Sequence, residues 1–534
     1  MLFNSLTFIL WFLPIVLAGY FIISGLGYIG WARAWLIAAS LFFYGWWNPV
    51  YVPLLCASMV ANYVIGKSLV ERPTKSLLVF GVLANLAVLG YFKYTHFFLT
   101  VLDQTLDQHW LIPDIVLPLA ISFFTFQQIA YLCDAYDGAA VEHNFINYCL
   151  FITFFPHLIA GPITHHREIL PQFRDPENFR PRAGYLAAGM TLFLIGLFKK
   201  VMIADQVSEY VGSVFTAAMK GDPLTLVDAW GGAIVHALQL YFDFSGYSDM
   251  AIGLGLMFGI RLPINFNSPY KARSIIDFWS HWHMTLTRFL TAYIYNPIVV
   301  RITRARARKR LPLPKRGHTT FGAFAIVVAF PTILTMFAAG LWHGAGWQYI
   351  IFGLMHGGYL VVNHGWREFK ARFNLPADSE NPVMIAGAVL LTFFCVIVAL
   401  VFFRAHDVDA ALNMLSSMAG MRGITLPDAV VDMPGVATLA THLGITGGET
   451  PYFHVKQAIG IIGMLIIVWT LPNSQQWLQA SRIELQPPSR PTWLQNVIAW
   501  RPSMAFGLLV GWFGTFVILR AISSAPTEFI YFRF

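Results

Sequence analysis

Charge is scarce in this sequence. Asp, Glu, Lys and Arg make up 12% of its 534 residues, where a soluble domain carries about 25%. Hydrophobic residues make up 57% and mean hydropathy is +0.60. This excludes a soluble protein with a large core and leaves a polytopic membrane protein. Cysteine is also rare. Cys56, Cys133, Cys149 and Cys395 sit in apolar stretches without C-x-x-C spacing, so neither a disulfide framework nor a metal site follows from them. The sequence lacks G-x-x-x-x-G-K-[ST], G-x-S-x-G and H-E-x-x-H. ATP-driven transport, serine hydrolysis and a helical zinc-protease site therefore have no support. No Lys or Arg precedes the first apolar run, so that run reads as a spanning helix and not as a cleavable signal.

What is present is a succession of apolar runs. They lie near 5–27, 34–50, 51–66, 77–99, 113–133, 146–163, 185–204, 226–243, 247–260, 319–342, 347–363, 384–404, 456–472 and 503–521. Several are short or interrupted, so the reading is eleven to thirteen full spans plus re-entrant pieces. The expected architecture is all-α: one polytopic transmembrane bundle over 1–534, with broken or re-entrant helices around a central channel.

Basic residues orient the chain. Lys67, Arg72 and Lys75 follow the third run, and the 100–112 loop holds Asp103 and Asp107 without Lys or Arg. Between Arg301 and Arg316 lie eight basic residues in sixteen, with no acid. The positive-inside rule places 67–76 and 301–316 in the cytoplasm and the N-terminus outside. Between two spans such a basic run suits anionic lipid head groups and not nucleic acid. The long polar stretch 406–455, with Asp407, Asp409, Asp428, Asp432 and Glu449 against Arg422, then falls outside. The loop bearing Arg482, Arg490 and Arg501 falls inside, and the C-terminus falls outside.

Polar residues set in apolar surroundings mark the candidate sites. The foremost is Ala339-Gly-Leu-Trp-His-Gly-Ala-Gly-Trp347, whose one ionisable side chain is His343. It reads either as a general base in a membrane-embedded site or as an interfacial His bonded to a neighbouring helix. Asp243-Phe-Ser-Gly-Tyr-Ser-Asp249 offers paired carboxylates. The favoured reading there is a helix break, with Ser248 and Asp249 capping the next helix and the acids paired to basic residues. In Asp277-Phe-Trp-Ser-His-Trp-His-Met-Thr-Leu-Thr-Arg-Phe289, His281 and His283 would point to different faces of a helix. An interfacial amphipathic helix and a functional site weigh equally. Around Phe155-Pro-His157 a broken helix with a structural His157 is expected, followed by His165, His166 and Arg167. His356 reads as packing.

These motifs, in this order, resemble the membrane-bound O-acyltransferase family, in particular its bacterial branch acting in alginate O-acetylation and teichoic-acid D-alanylation. Further matching pieces are Met1-Leu-Phe-Asn-Ser-Leu-Thr-Phe-Ile-Leu-Trp-Phe-Leu-Pro14, Pro118-Leu-Ala-Ile-Ser-Phe-Phe-Thr-Phe-Gln127, Phe154-Phe-Pro-His-Leu-Ile-Ala-Gly-Pro162 and the terminal Tyr-Phe-Arg-Phe. The resemblance spans essentially the whole chain and implies a family-like core at about 113–363. It implies that His343 and His283 are catalytic. It implies Trp342, Asp277, Trp282 and Asn296 as substrate-binding residues, and Arg301, Arg304 and Arg306 as contacts to the donor. The implied donor is acetyl-CoA, with no permanently bound cofactor and no metal. The implied acceptor is a secreted polysaccharide such as alginate, or cellulose, peptidoglycan or another envelope polymer. An extracytoplasmic SGNH-like acetyltransferase is the implied partner, and the bacterial inner membrane the implied location. Where Ser280 and His281 stand, the family often carries basic residues. The competing class is a transporter with a histidine-lined path, which would show repeated halves; the histidine stretch has no second copy. A scaffold with a lost active site is the third reading, and intact His283 and His343 count against it.

Overall fold

The computed structural model describes all residues except 108, 140–143, 377–378, 427, 434, 444, 449, 479–499, 501–502, 524–526 and 531–534. Arg482, Arg490, Arg501 and Glu449, used above to orient the chain, and the terminal Tyr-Phe-Arg-Phe lie outside the described residues. The chain is all-α and polytopic. Among the described residues, seven helices are long and apolar enough to cross a bilayer: Thr7–Gly25, Pro49–Glu71, Lys75–Leu106, Ala183–Lys220, Phe321–His343, Pro382–Arg404 and Met504–Ile522. Leu226–Met257 (32 residues) and Trp347–Arg372 (26 residues) also have the length for a crossing, which takes about 20 residues, but carry more polar groups. Large apolar side chains stand exposed along these helices, among them Trp11, Val362, Val383, Leu508 and Trp512, and extended exposed apolar surface of this kind marks contact with a membrane. The chain forms two compact units.

The first unit comprises Met1–Met202, Asp243–Asn267 and Pro472–Phe534. Its core is aromatic: Phe3, Phe8, Phe12, Phe43 and Phe155 meet with ring centroids 4.9–6.0 Å apart. The expected break around Pro156 is present, as two short helices, Phe145–Thr153 and Phe155–Leu158. His157 is buried and lies 3.3 Å from Gln127 Nε2, a structural role.

The expected break at 243–249 is absent. Leu226–Met257 is one continuous helix, so Ser248 and Asp249 cap nothing, and the two apolar runs 226–243 and 247–260 are one element. Gly246 and Gly253 serve close approach instead. A Cβ on Gly196 would sit 2.4 Å from the Gly246 carbonyl oxygen, and one on Gly189 would sit 2.5 Å from that of Gly253. Backbones that touch in this way are how apolar helices associate where lipid competes for every side chain. The pairing of the acids is as expected. Lys199 Nζ lies 2.7 Å from Asp249, which also accepts from Ser474 and Gln475. Lys200 Nζ lies 2.7 Å from Asp243. Lys200 also donates to the Glu528 carbonyl at 3.0 Å and sits over the Phe529 ring, while Ile530 N–H donates to Asp243 at 2.9 Å. A buried ion pair thereby holds the C-terminal segment.

The second unit comprises Ile203–Phe242 and Ser268–Leu471. Its centre is a hairpin of Phe330–His343 and Trp347–Arg372. The stretch 406–455, read from sequence as a polar loop, contains the helices Val408–Met418, Asp428–Val431 and Val436–Leu443, and a two-stranded parallel pairing of Thr425–Leu426 with Thr446–Gly447. Buried Asp228 accepts the Tyr452 and Phe453 N–H groups at 3.1 and 2.8 Å. Trp230 Nε1 donates to the Met418 carbonyl at 2.9 Å. These bonds pin the polar stretch to the start of the Leu226–Met257 helix.

Candidate active site

The hairpin sets the depth of His343. Gly340 and Gly353 bring its two helices into backbone contact: a Cβ on Gly353 would lie 2.3 Å from the Met336 carbonyl oxygen, and one on Gly340 would lie 2.4 Å from that of Tyr349. The first helix ends at His343. Gly344 is extended (φ −169°), and its missing Cβ leaves room for the Tyr349 ring.

His343 is buried in an aromatic box. Its ring centroid lies 4.9 Å from Trp342, 5.8 Å from Phe352 and 5.1 Å from Phe403. Phe352 comes from the returning helix and Phe403 from the end of Pro382–Arg404. An imidazole so enclosed keeps few water contacts, and such a site strengthens any charge that forms within it.

His283 joins the same cluster through Trp342, at a centroid distance of 5.9 Å. The continuous amphipathic helix that the sequence allowed over 277–289 is two short helices, Ile275–His281 and Met284–Leu290. The break falls at His283, whose φ of 42° is left-handed. A side chain other than glycine reaches that region at a cost of about 1 kcal/mol or more, and such residues concentrate at functional sites. The turn buries His283 completely and leaves His281 half-exposed. His281 pairs with Asp277 at 3.3 Å. Their mutual hydrogen bond raises the His281 pKa and lowers that of Asp277.

His356, read as packing, belongs to the cluster. It accepts a hydrogen bond from Trp279 Nε1 at 3.2 Å, and Phe352 touches both it and His343, at 4.8 and 5.8 Å. Asn363 Oδ1 accepts the Ile276 N–H at 3.2 Å, fixing the Ile275–His281 helix to the hairpin. The signal in the sequence was the small residues Gly340, Gly353 and Gly357, which allow an antiparallel pair to close. Trp282 is buried, stacked on Phe278 at 5.6 Å.

The other expected site residues stand apart from the box. Asn296 opens Asn296–Arg308 and is exposed, as are Arg301 and Arg304. The Arg306 guanidinium is spent on the Pro312 carbonyl, at 3.0 and 2.7 Å. A separate cavity of about 570 Å³ is lined by Arg316, Arg367, Lys370, His364, Phe324 and Val328. Glu368 at its rim holds the Thr319 N–H at 2.9 Å.

A profile of the membrane-bound O-acyltransferase family (MBOAT) matches residues 139–311, a span that includes His283. A peptidoglycan O-acetyltransferase of Helicobacter pylori is 40% identical over 456 residues, covering 80% of this chain and 81% of the relative. The chain belongs to the membrane-bound O-acyltransferase family. A probable alginate O-acetylase of Azotobacter vinelandii is 36% identical, over 80% of each chain. A teichoic acid D-alanyltransferase of Streptococcus thermophilus is 27% identical over 53% of this chain and 68% of its own. This MBOAT chain is accordingly an O-acyltransferase and a multi-pass membrane protein.

Proposed function

We propose that this MBOAT protein transfers acetyl from acetyl-CoA to a hydroxyl serving O-acetylation of a cell-envelope polysaccharide, with His343 as general base. The observation that carries the reading is the aromatic box that buries His343 at the hairpin turn, with His283 one ring away through Trp342. In the step itself, His343 takes the hydroxyl proton as the oxygen attacks the thioester carbonyl carbon. The carbon–sulfur bond then breaks, and the CoA thiolate leaves and is protonated. A neutral imidazole suits that task near pH 7. Trp342 N–H and the backbone around Gly344 are the candidate donors to the oxyanion.

The donor side lies at 301–316, taken as cytoplasmic on its basic charge. The cavity of Arg316, Arg367 and Lys370 gathers three cations in one concave place and so suits the phosphates of CoA better than Arg301 and Arg304, which line no part of it, or Arg306, which is engaged with the Pro312 carbonyl. At 1.5 Å per residue, Arg367 stands about 22 Å along its helix from Phe352, and an extended pantetheine arm bridges a separation of that order. The acceptor side lies at 406–455, taken as outside. The acceptor is the polymer or an extracytoplasmic SGNH-like acetyltransferase that passes the acetyl on. By their names, the relatives at 36–40% identity act on alginate or on peptidoglycan, and the polymer that loses acetyl on deletion identifies the acceptor.

The test compares His343→Ala and His343→Gln. Both should lower polymer acetyl content, normalised to membrane-inserted protein, by about 10²-fold to 10⁴-fold, because an amide hydrogen-bonds but cannot take a proton. Near-normal acetylation by the Gln variant would make His343 structural and remove the general-base reading.

A further inference from the structure

A second histidine cluster lies in the first unit, among residues that the acyl-transfer chemistry does not use. Asp134 stands on the last turn of Ile121–Tyr136. His165 and His166 open the amphipathic helix His166–Arg174, as its N-cap and first residue. Asp134 Oδ2 lies 3.0 Å from His165 Nε2 and 3.3 Å from His166 Nδ1, and the three atoms lie within 4.8 Å of one another. The side chains of Asp134 and His166 are 10% and 4% exposed, and that of His165 is 25% exposed.

We propose that Asp134, His165 and His166 bind one divalent transition-metal ion, zinc by the chemistry of the set. Zinc bonds of about 2.0–2.2 Å to nitrogen and oxygen, at tetrahedral angles, place ligand atoms about 3.3 Å apart. The two separations from Asp134 fall at that value or just under it, and the two imidazole nitrogens, within 4.8 Å of each other, would draw together on the ion. The two imidazoles fan out from neighbouring residues, with ring centroids 4.7 Å apart and planes tilted by 36°. His166 Nε2 is buried without a hydrogen-bond partner, and Nδ1 is the nitrogen turned to Asp134. Arg167 approaches the other carboxylate oxygen, Oδ1, at 4.0 Å from the solvent side, while both imidazoles face Oδ2. Two imidazoles and a carboxylate without thiolate suit zinc and its neighbours, not calcium or magnesium, which take oxygen ligands. The exposed flank of His165 leaves a position for water.

The site would staple Ile121–Tyr136 to His166–Arg174 across the broken segment 155–163. Tyr131, one turn before Asp134, packs on Gly66, where a Cβ would lie 2.2 Å from its ring. Gly66 lies on the last two turns of Pro49–Glu71, beside Lys67 and shortly before Arg72 and Lys75, so the staple lies near the end of the unit taken as cytoplasmic on its basic charge.

The experiment uses the full chain in detergent, purified through a tag without histidine and stripped with a chelator. Cobalt(II) is added and visible absorption recorded; zinc content is then measured after dialysis against a mixture of zinc, magnesium and calcium. Wild type should show a tetrahedral cobalt band and hold about one zinc per chain, and chelation should lower its thermal midpoint. Asp134→Asn and His166→Gln should lose the zinc, and their midpoints should not respond to chelator. Absence of a cobalt band and of stoichiometric zinc in wild type overturns the proposal, whether or not the variants fold. Full zinc retention by folded Asp134→Asn overturns it as well and leaves the cluster as hydrogen bonds only.

Discussion

The Lys200–Asp243 pair allows a quantitative test of how the first unit holds its C-terminal segment. Each of the two residues is 1% exposed, and their charged atoms are 2.7 Å apart. Asp243→Ala removes an acceptor used by Lys200 and by the Ile530 N–H, and leaves the ammonium with the Glu528 carbonyl and the Phe529 ring among its contacts. Breaking one side of a buried pair costs about 3–5 kcal/mol, because the other charge stays buried. Lys200→Met should cost a comparable amount, leaving the carboxylate uncompensated. Lys200→Met with Asp243→Leu removes both charges, and buried pairs replaced by apolar residues of similar volume are often neutral. The double variant should therefore be more stable than either single variant, with a coupling of about 2–4 kcal/mol. Thermal unfolding of detergent-solubilised protein, followed by size-exclusion fluorescence, measures the series. Single variants that each cost less than about 1 kcal/mol, or a double variant whose losses add, would refute the reasoning.

Three further outcomes are expected, beside that of His343. A cysteine placed at 430 should react with an impermeant outer-face label and one at 308 should not; the reverse pattern overturns the orientation and the donor side with it. Arg367→Gln and Lys370→Gln should raise the KM for acetyl-CoA about tenfold each, about 1.4 kcal/mol, with little change in kcat; an unchanged KM removes the cavity from donor binding. The Asp277–His281 pair should stabilise the chain only modestly, by under about 1 kcal/mol, because both groups are half-exposed. With the His281 pKa raised above 6.5, that contribution is present below 6.5 and lost as pH rises through the raised value. With the Asp277 pKa lowered from 3.8, it is present above 3.8 and lost as pH falls through the lowered value. The difference in thermal midpoint between wild type and Asp277→Asn should thus shrink on the alkaline side; a difference that grows there contradicts the pairing.

The apolar runs made the helical class legible, because a run of membrane length has one economical backbone, in which every peptide group bonds within the segment, but they overstated the number of spans: against eleven to thirteen expected, seven helices among the described residues meet the length and apolarity of a crossing, with Leu226–Met257 and Trp347–Arg372 long enough besides. Positions where the outcome depended on a distant partner were not legible. Gly246 and its serines read as a break because Gly196, Lys199 and Lys200, which receive that face of the helix, lie more than forty residues upstream. His283 was visible as a candidate, but nothing local announces a left-handed histidine. His356 reads as packing in the sequence, and its neighbours are set by the chain reversal at Gly344–Gly346, which brings Phe352 between it and His343. The basic run 301–316 was plain as charge. Which of its guanidiniums face a cavity was set by the Pro312 carbonyl and by Arg367 and Lys370 on another helix.

The Met504–Ile522 helix, in which Gly514 and Val517 are the buried residues, ties this protein to the material around it. Most of the free energy that keeps the helix in place comes from acyl chains, so its environment acts as part of its fold. At 19 residues it is about 28 Å long, close to the thickness of a bilayer's hydrocarbon core. A thicker or thinner membrane would be met by tilt or by local deformation of the lipid, at a cost of fractions of a kcal/mol per Å. The chain leaves this helix only a few residues before Glu528, Phe529 and Ile530, the residues that close over Lys200 and Asp243. Membrane composition is therefore a thermodynamic variable of that ion pair, and the choice of detergent or lipid belongs among the determinants of the stability measured for it.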